Sequence, residues 1–157
     1  MRFLTIDGAW GIPHFVDNQN GFKYAALVLD GASPVLTEID FQDIASSSVL
    51  TTGLAQPEFI GGEYIVGNDE DSGVDGPAVQ IYSSGTPITP LIMSSPVLIG
   101  SDNGCGNNAG GKPTVWVEDA FIEIDDAEIP IGDYGISLRY SSGSITNSAV
   151  SYTHLTL

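Results

Sequence analysis

The feature that most constrains the fold of this chain is a short repeated segment. Each copy begins with an apolar residue, continues through two or three Asp, Gly, Thr or Asn positions, and reaches a second apolar residue about five positions later. The copies are IDGAWGI at 6–12, IDFQDI at 39–44, IGGEYI at 60–65, IDDAEI at 124–129 and ITNSAV at 145–150, with a weaker VLIGSDN at 97–103. Two of the successive spacings, 39 to 60 and 124 to 145, equal 21 residues. A regular spacing of this length is typical of a protein built from stacked repeats.

A second repeat supports the first. VQIYSSG at 79–85 is similar to ISLRYSSG at 136–143, and each is a short alternating strand that runs into a Tyr-Ser-Ser-Gly turn. Strands this short cannot bury their apolar side chains alone, so they need an equivalent strand from the next coil, laid parallel at about 4.8 Å. Asp, Asn and Gly suit the corners because they tolerate left-handed backbone. We therefore expect stacked coils with one interior row formed by five isoleucines: Ile6, Ile39, Ile60, Ile124 and Ile145.

Composition narrows the class of protein. The 157 residues carry 20 Asp and Glu against 4 Lys and Arg, a formal charge of −16, which makes nucleic acid and anionic membrane surfaces poor partners. With 42% hydrophobic and 15% charged residues, the chain has the composition of a packed domain rather than of a disordered acidic tail. No apolar run reaches the length of a membrane span, and the first residues show no signal peptide. The same composition also permits an antiparallel β-sandwich.

The segments FLTIDG, FIEIDDAEI and YGISLRYSSGSITNSAV resemble coils of the right-handed parallel β-helix, the pectate-lyase-like fold. The resemblance implies an all-β solenoid of about six coils with loop insertions. It is closest over 115–150, and Gly- and Asp-rich insertions interrupt it over 67–114. Such motifs indicate architecture and say little about activity.

The ends of the chain suggest an incomplete protein. Residues 150–157, VSYTHLTL, resemble the translated read-through of a sequencing-library adaptor, a contaminant of metagenomic proteins; the alternative is an ordinary terminal strand. We therefore assign residues 1–149 to a β-helix fragment truncated at both ends. Exposed strand edges on such a fragment would favour end-to-end self-association.

An acidic segment at 68–76 is a candidate Ca²⁺ site. Asp69, Asp71 and Asp75 alternate with small residues, so a turning backbone could direct several oxygen ligands to one ion. The segment lacks the Glu that completes an EF-hand loop, and the alternative is a solvated insertion between coils. Calcium is the only cofactor that the sequence suggests.

A second group of acids raises the question of catalysis. Its members are Glu118, Asp119, Glu123, Asp125, Asp126 and Glu128. Some of them could form a carboxylate ladder with Asp40 and Asp43 of earlier coils, and paired carboxylates serve glycoside hydrolysis. Solvent-facing acids that keep a stack of strands soluble are the alternative. Neither His14 nor Cys105 has the neighbours that a nucleophilic triad requires.

Aromatic and basic residues on the strands are candidates for carbohydrate binding. They are Tyr82, Trp116, Arg139 and Tyr140. Arg139 is also expected to pair with a neighbouring Asp. Because basic residues and histidine are scarce, we expect a non-catalytic extracellular, cell-surface or virion-surface module that binds glycans or mediates adhesion. The alternative is a carbohydrate-active enzyme of the same fold, a polysaccharide lyase or a glycoside hydrolase.

Overall fold

Sixteen short β-strands make up the regular structure of the part of the chain that the structure describes. The computed structural model describes residues 4–7, 25–42, 47–65, 77–100, 113–131 and 134–150, which contain no helix. The strands are β1 (Leu4–Asp7), β2 (Ala25–Asp30), β3 (Val35–Thr37), β4 (Ile39–Gln42), β5 (Ser47–Thr52), β6 (Glu58–Ile60), β7 (Glu63–Ile65), β8 (Val79–Tyr82), β9 (Leu91–Ser94), β10 (Val97–Ile99), β11 (Pro113–Glu118), β12 (Phe121–Asp125), β13 (Glu128–Ile131), β14 (Tyr134–Arg139), β15 (Ser142–Thr146) and β16 (Ala149–Val150).

Every third strand belongs to the same sheet. Sheet A has the order β1-β4-β7-β10-β13-β16, sheet B the order β2-β5-β8-β11-β14, and sheet C the order β3-β6-β9-β12-β15. The chain thus visits sheets B, C and A in turn, and after β1 each set of three strands forms one coil. All strand pairings in the described segments are parallel. The all-β, parallel stacked architecture is therefore confirmed, and the antiparallel sandwich is excluded.

The two described corners of every coil contain a residue with positive φ. Between sheets C and A these residues are Glu38, Gly61, Ser95, Asp126 and Asn147, with φ between 51° and 63°. Between sheets B and C they include Gly31, Gly53, Ser83, Asp119 and Tyr140, with φ between 44° and 66°. One left-handed residue turns the chain sharply enough for the next strand to enter the neighbouring sheet.

The hydrogen-bond ladder between coils continues through these corners. The N–H groups of Glu38, Gly61, Ser95 and Asp126 each donate to a carbonyl of the next coil, at 2.8, 2.7, 2.8 and 3.1 Å. The N–H of Asp119 likewise donates to the carbonyl of Arg139 at 3.1 Å. Because the corner donors are satisfied in this way, the bends leave no buried orphan N–H at these positions.

Rows of apolar side chains fill the space between the three sheets. Sheet C contributes Leu36, Phe59, Met93 and Ile124, sheet A contributes Phe41, Tyr64, Leu98 and Ile129, and sheet B contributes Val49, Val79 and Val115. Tyr64 is fully buried against Phe41 and Phe59, with ring centroids 5.6 and 5.7 Å apart. Its hydroxyl donates to the Gly61 carbonyl at 3.3 Å, so the one polar atom of this ring has a partner.

The predicted single row of five isoleucines is wrong. Ile124 and Ile145 are in-register neighbours in sheet C, as expected, but Ile6 and Ile39 lie in sheet A. Ile60 lies in sheet C one position past the interior row, where it pairs with Ser94 while Phe59 pairs with Met93. Position 39 begins a strand rather than a corner, because the turn residue in that coil is Glu38.

The described residues contain no helix of the length and hydrophobicity needed to cross a lipid bilayer. Each connection from sheet A to sheet B includes residues that the structure does not describe. Positions 151–157 of the adaptor-like segment also lie outside the described residues. His14 and Cys105 also lie outside the described residues.

Ile124 and Ile145 provide a matched test of this core. They occupy the same row one coil apart, yet Ile124 is 1% exposed and Ile145 is 43% exposed. We expect Ile124→Asp to lower the free energy of unfolding by more than ~3 kcal/mol through a buried unpaired charge, and Ile145→Asp by about 1 kcal/mol or less. Urea unfolding of both variants measures the difference, and equal costs would contradict the assignment of the core.

Candidate functional site

The outward face of sheet B collects most of the predicted binding residues. In β11, Val115 and Val117 are buried in the core, so the alternation of the strand turns Trp116 and Glu118 to the other face. The parallel register then aligns Glu118 with Tyr82 of β8 on one side and Arg139 of β14 on the other. We call Tyr82, Trp116, Glu118, Arg139 and Tyr140 the sheet B cluster.

Glu118 connects two members of this cluster. Its Oε2 accepts a hydrogen bond from Nε1 of Trp116 at 3.2 Å, and its Oε1 lies 3.5 Å from Nη1 of Arg139. The Glu118 side chain is 9% exposed and that of Arg139 is 49% exposed. Solvent screens a half-exposed pair, so the ion pair contributes little to stability. Its main effect is to orient the guanidinium and the indole.

Arg139 in turn lies over the ring of Tyr140. The guanidinium carbon is 5.2 Å from the ring centroid, within the range of a cation–π contact. Tyr140 is the positive-φ residue of its corner, with φ of 51°, and its side chain is 78% exposed. The corner backbone therefore presents an aromatic ring and a guanidinium side by side to solvent.

Tyr82 lies on the other side of Glu118 and is more enclosed. Burial raises the pKa of the Tyr82 hydroxyl well above its usual range, and the negative charge of Glu118 adds to the effect. The phenol is therefore neutral at physiological pH. Its oxygen is buried and has no hydrogen-bond partner within the described residues. Two positions earlier on β8, Gln80 donates through Nε2 to Ser47 Oγ at 2.6 Å, while its Oε1 likewise lacks a partner there.

The structure thus brings together all four predicted carbohydrate-binding residues, Tyr82, Trp116, Arg139 and Tyr140. Sequence reasoning missed the role of Glu118, which it placed among the solvent-facing acids. It also expected an Asp as the partner of Arg139, and the partner is Glu118. A signal was available: the spacing of 21 residues that aligns 124 with 145 also aligns Glu118 with Arg139.

Among the described residues, the second acidic group does not form a continuous carboxylate ladder of the kind that the sequence suggested. Glu123 and Asp125 lie on sheet C, Asp126 lies at the corner between sheets C and A, and Glu128 lies on sheet A. Asp40 pairs with Glu63, but Val97 separates Glu63 from Glu128 in that row.

Among the described residues no group of three or more metal-ligating side chains could hold an ion. Asp43 and the calcium candidates Asp69, Asp71 and Asp75 lie outside them, so calcium binding stays a prediction.

Asp125 instead accepts hydrogen bonds within its corner. Its Oδ1 accepts from Thr146 Oγ1 at 2.6 Å and from Asn147 Nδ2 at 2.8 Å, both in the next coil. The hydrogen bond from Thr146, followed by that from Asn147, holds the pKa of Asp125 below its usual value. This carboxylate therefore joins two coils.

Comparison of the chain with models of known protein families, with curated proteins and with solved structures returns no match. The residues of the sheet B cluster and their geometry are therefore the basis for a functional proposal.

The lowered pKa of Asp125 predicts a pH dependence of stability. Because the carboxylate form is favoured in the folded state, its contribution is present above the ordinary carboxyl pKa of 3.8 and is lost as pH falls through the lower folded value. Thr146→Val removes the strongest hydrogen bond, so it should raise the pKa of Asp125. Carboxyl chemical shifts followed by NMR titration measure this pKa in both proteins. A value in the unaltered chain at or above that of Thr146→Val would contradict the role assigned to the corner.

Proposed function

We propose that this chain is a non-catalytic module of a right-handed parallel β-helix of the pectate-lyase-like kind, displayed on a cell or virion surface, and that it binds glycan through the sheet B cluster. The right-handed coil is supported by the general preference of parallel strands in one sheet for right-handed connections. An extracellular or virion-surface location is supported by the acidic, lysine-poor composition and by the repetitive stack of coils.

One observation carries the binding proposal: the exposed Tyr140 ring lies beside the half-exposed Arg139 guanidinium, which Glu118 holds in place. Ligand sites combine aromatic surface with a few oriented polar groups. A sugar ring offers apolar C–H groups to an aromatic face and hydroxyl groups to nearby donors. Tyr140 supplies the first kind of contact, and Arg139 supplies the second.

The same arrangement favours binding over catalysis. Hydrolysis of a glycosidic bond requires two carboxyl groups on opposite sides of the bond, one of them poised as an acid. The two carboxylates near Arg139, Glu118 and Asp119, are consecutive in the chain, and both oxygens of Glu118 already have partners. Arg139 is held in an ion pair with Glu118 rather than placed as the base that removes a proton from a lyase substrate.

Tyr140 and Leu54 form a matched pair for testing the proposal. Both are exposed side chains with positive φ at the corner between sheets B and C, and Leu54 lies three coils from Tyr140 along the stack. We expect Tyr140→Ala to weaken binding to a glycan selected from an oligosaccharide array by about tenfold or more, the effect of losing a central aromatic contact. Leu54→Ala should bind like the unaltered chain. Isothermal titration calorimetry measures both affinities.

Two results would overturn the proposal. The first is that the unaltered chain binds no oligosaccharide of the array at millimolar concentration. The second is the release of reducing or unsaturated sugar from a polysaccharide, abolished by Arg139→Ala or Asp126→Ala, because this would identify a carbohydrate-active enzyme.

A further inference from the structure

We infer that Asp119 makes the proposed glycan site selective for neutral over acidic sugars. The inference rests on the proposed function, since it concerns the chemical class of the sugar that the sheet B cluster accepts. Asp119 determines this selectivity through the charge of its side chain.

The position of Asp119 is fixed by the backbone. It follows Glu118 immediately, it is the positive-φ residue of its corner with φ of 51°, and its N–H donates to the carbonyl of Arg139 at 3.1 Å. Tyr140 occupies the equivalent corner position in the next coil, and neighbouring coils are about 4.8 Å apart. The exposed Asp119 side chain therefore flanks the surface formed by Arg139 and Tyr140.

Arg139 alone would favour an acidic sugar. A guanidinium recognises a carboxylate through two parallel hydrogen bonds, and within the described residues Arg139 makes its ion pair through Nη1. The carboxylate of a uronic acid or other acidic sugar stacked on Tyr140 would thus lie near the N–H donors of the Arg139 guanidinium. A site that selects neutral sugars therefore needs a feature that disfavours binding of acidic ones.

The two carboxylates beside Arg139 supply that opposition. Glu118 neutralises the guanidinium, and Asp119 adds a further negative charge at the rim of the same surface. Arg139 is the one basic residue in the described segments, which hold twelve Asp and Glu residues in total. An anionic ligand at Tyr140 would lie within one Debye length of Asp119, about 8–10 Å in physiological salt, and would be repelled. A neutral sugar carries no charge, so Asp119 would not repel it.

Asp126 is a matched control for Asp119. It is exposed, belongs to the same coil, and is the positive-φ residue of the other corner, with φ of 55°. Asp126→Asn removes the same charge from the same kind of backbone position on the far side of sheet C. The probes are two oligosaccharides of equal length that differ in one group, a hexuronic acid and the corresponding neutral hexose.

The measured quantity is the ratio of the two affinities, acidic over neutral, in 20 mM salt. We expect Asp119→Asn to raise this ratio about twofold, the effect of one charge removed at roughly 8 Å in a solvated setting. Asp126→Asn should leave the ratio unchanged, and 0.5 M NaCl should abolish the effect of Asp119→Asn because screening shortens the Debye length.

The possible failures are distinct. If the unaltered chain binds the neutral sugar but neither variant changes the ratio, or both change it equally, the role of Asp119 is wrong and the glycan site stands. A higher affinity of the unaltered chain for the acidic sugar would also overturn this role. If neither sugar binds, the glycan site itself is wrong, and the inference is wrong with it.

Discussion

The structure depends on one backbone constraint, the left-handed residue at each corner. A parallel strand has no partner within its own coil, so all of its ladder bonds must reach the coils above and below. A corner that interrupted this ladder would leave buried donors unpaired. At the corner between sheets C and A, Glu38, Gly61, Ser95 and Asp126 bend the chain and still donate to the next coil. The register of every strand follows from these bends.

The corners also determine where chemistry can reside. Because the register is fixed, residues 21 positions apart in the last two coils stack on one another, and Glu118 lies directly between Tyr82 and Arg139. The inward row of sheet B is mostly apolar, with Thr51 as a buried polar member, whereas the outward row carries Tyr82, Glu118 and Arg139. The positive φ of Tyr140 then projects its ring beyond the end of β14, where it is exposed. A structural requirement of the coil thus produces the aromatic and guanidinium surface on which the functional proposal rests.

The sequence predicted the stacked parallel strands and two corners correctly, IDDAEI and ITNSAV, whose residues pair in register. It misplaced IGGEYI by one position and took a strand, Ile39–Gln42, for a corner. The sequence pattern was defined by an isoleucine, whereas the structure requires a residue with left-handed backbone at each corner. Glu38 is an unusual residue for that conformation. The two Tyr-Ser-Ser-Gly turns are likewise offset from each other by one position. Ser84, Ala120 and Ser141 occupy equivalent positions in three successive coils, so the second Ser of one turn aligns with the first Ser of the other. Connections of different length between the sheets, including that from β8 to β9, hid the alignment of Tyr82 with Glu118, which are 36 positions apart.

A disulfide between two neighbouring coils tests the central claim most directly. Glu123 and Ser144 are exposed, in-register partners in sheet C, and parallel neighbours about 4.8 Å apart satisfy the Cα separation of a disulfide. With Cys105 replaced by Ser, the pair E123C and S144C should oxidise almost completely to an intrachain disulfide, as mass spectrometry of peptides would show. The pair E58C and S144C, three coils and roughly 14 Å apart, should remain reduced. Free thiols in the first pair, or equal oxidation of both pairs, would contradict the stacked parallel coil.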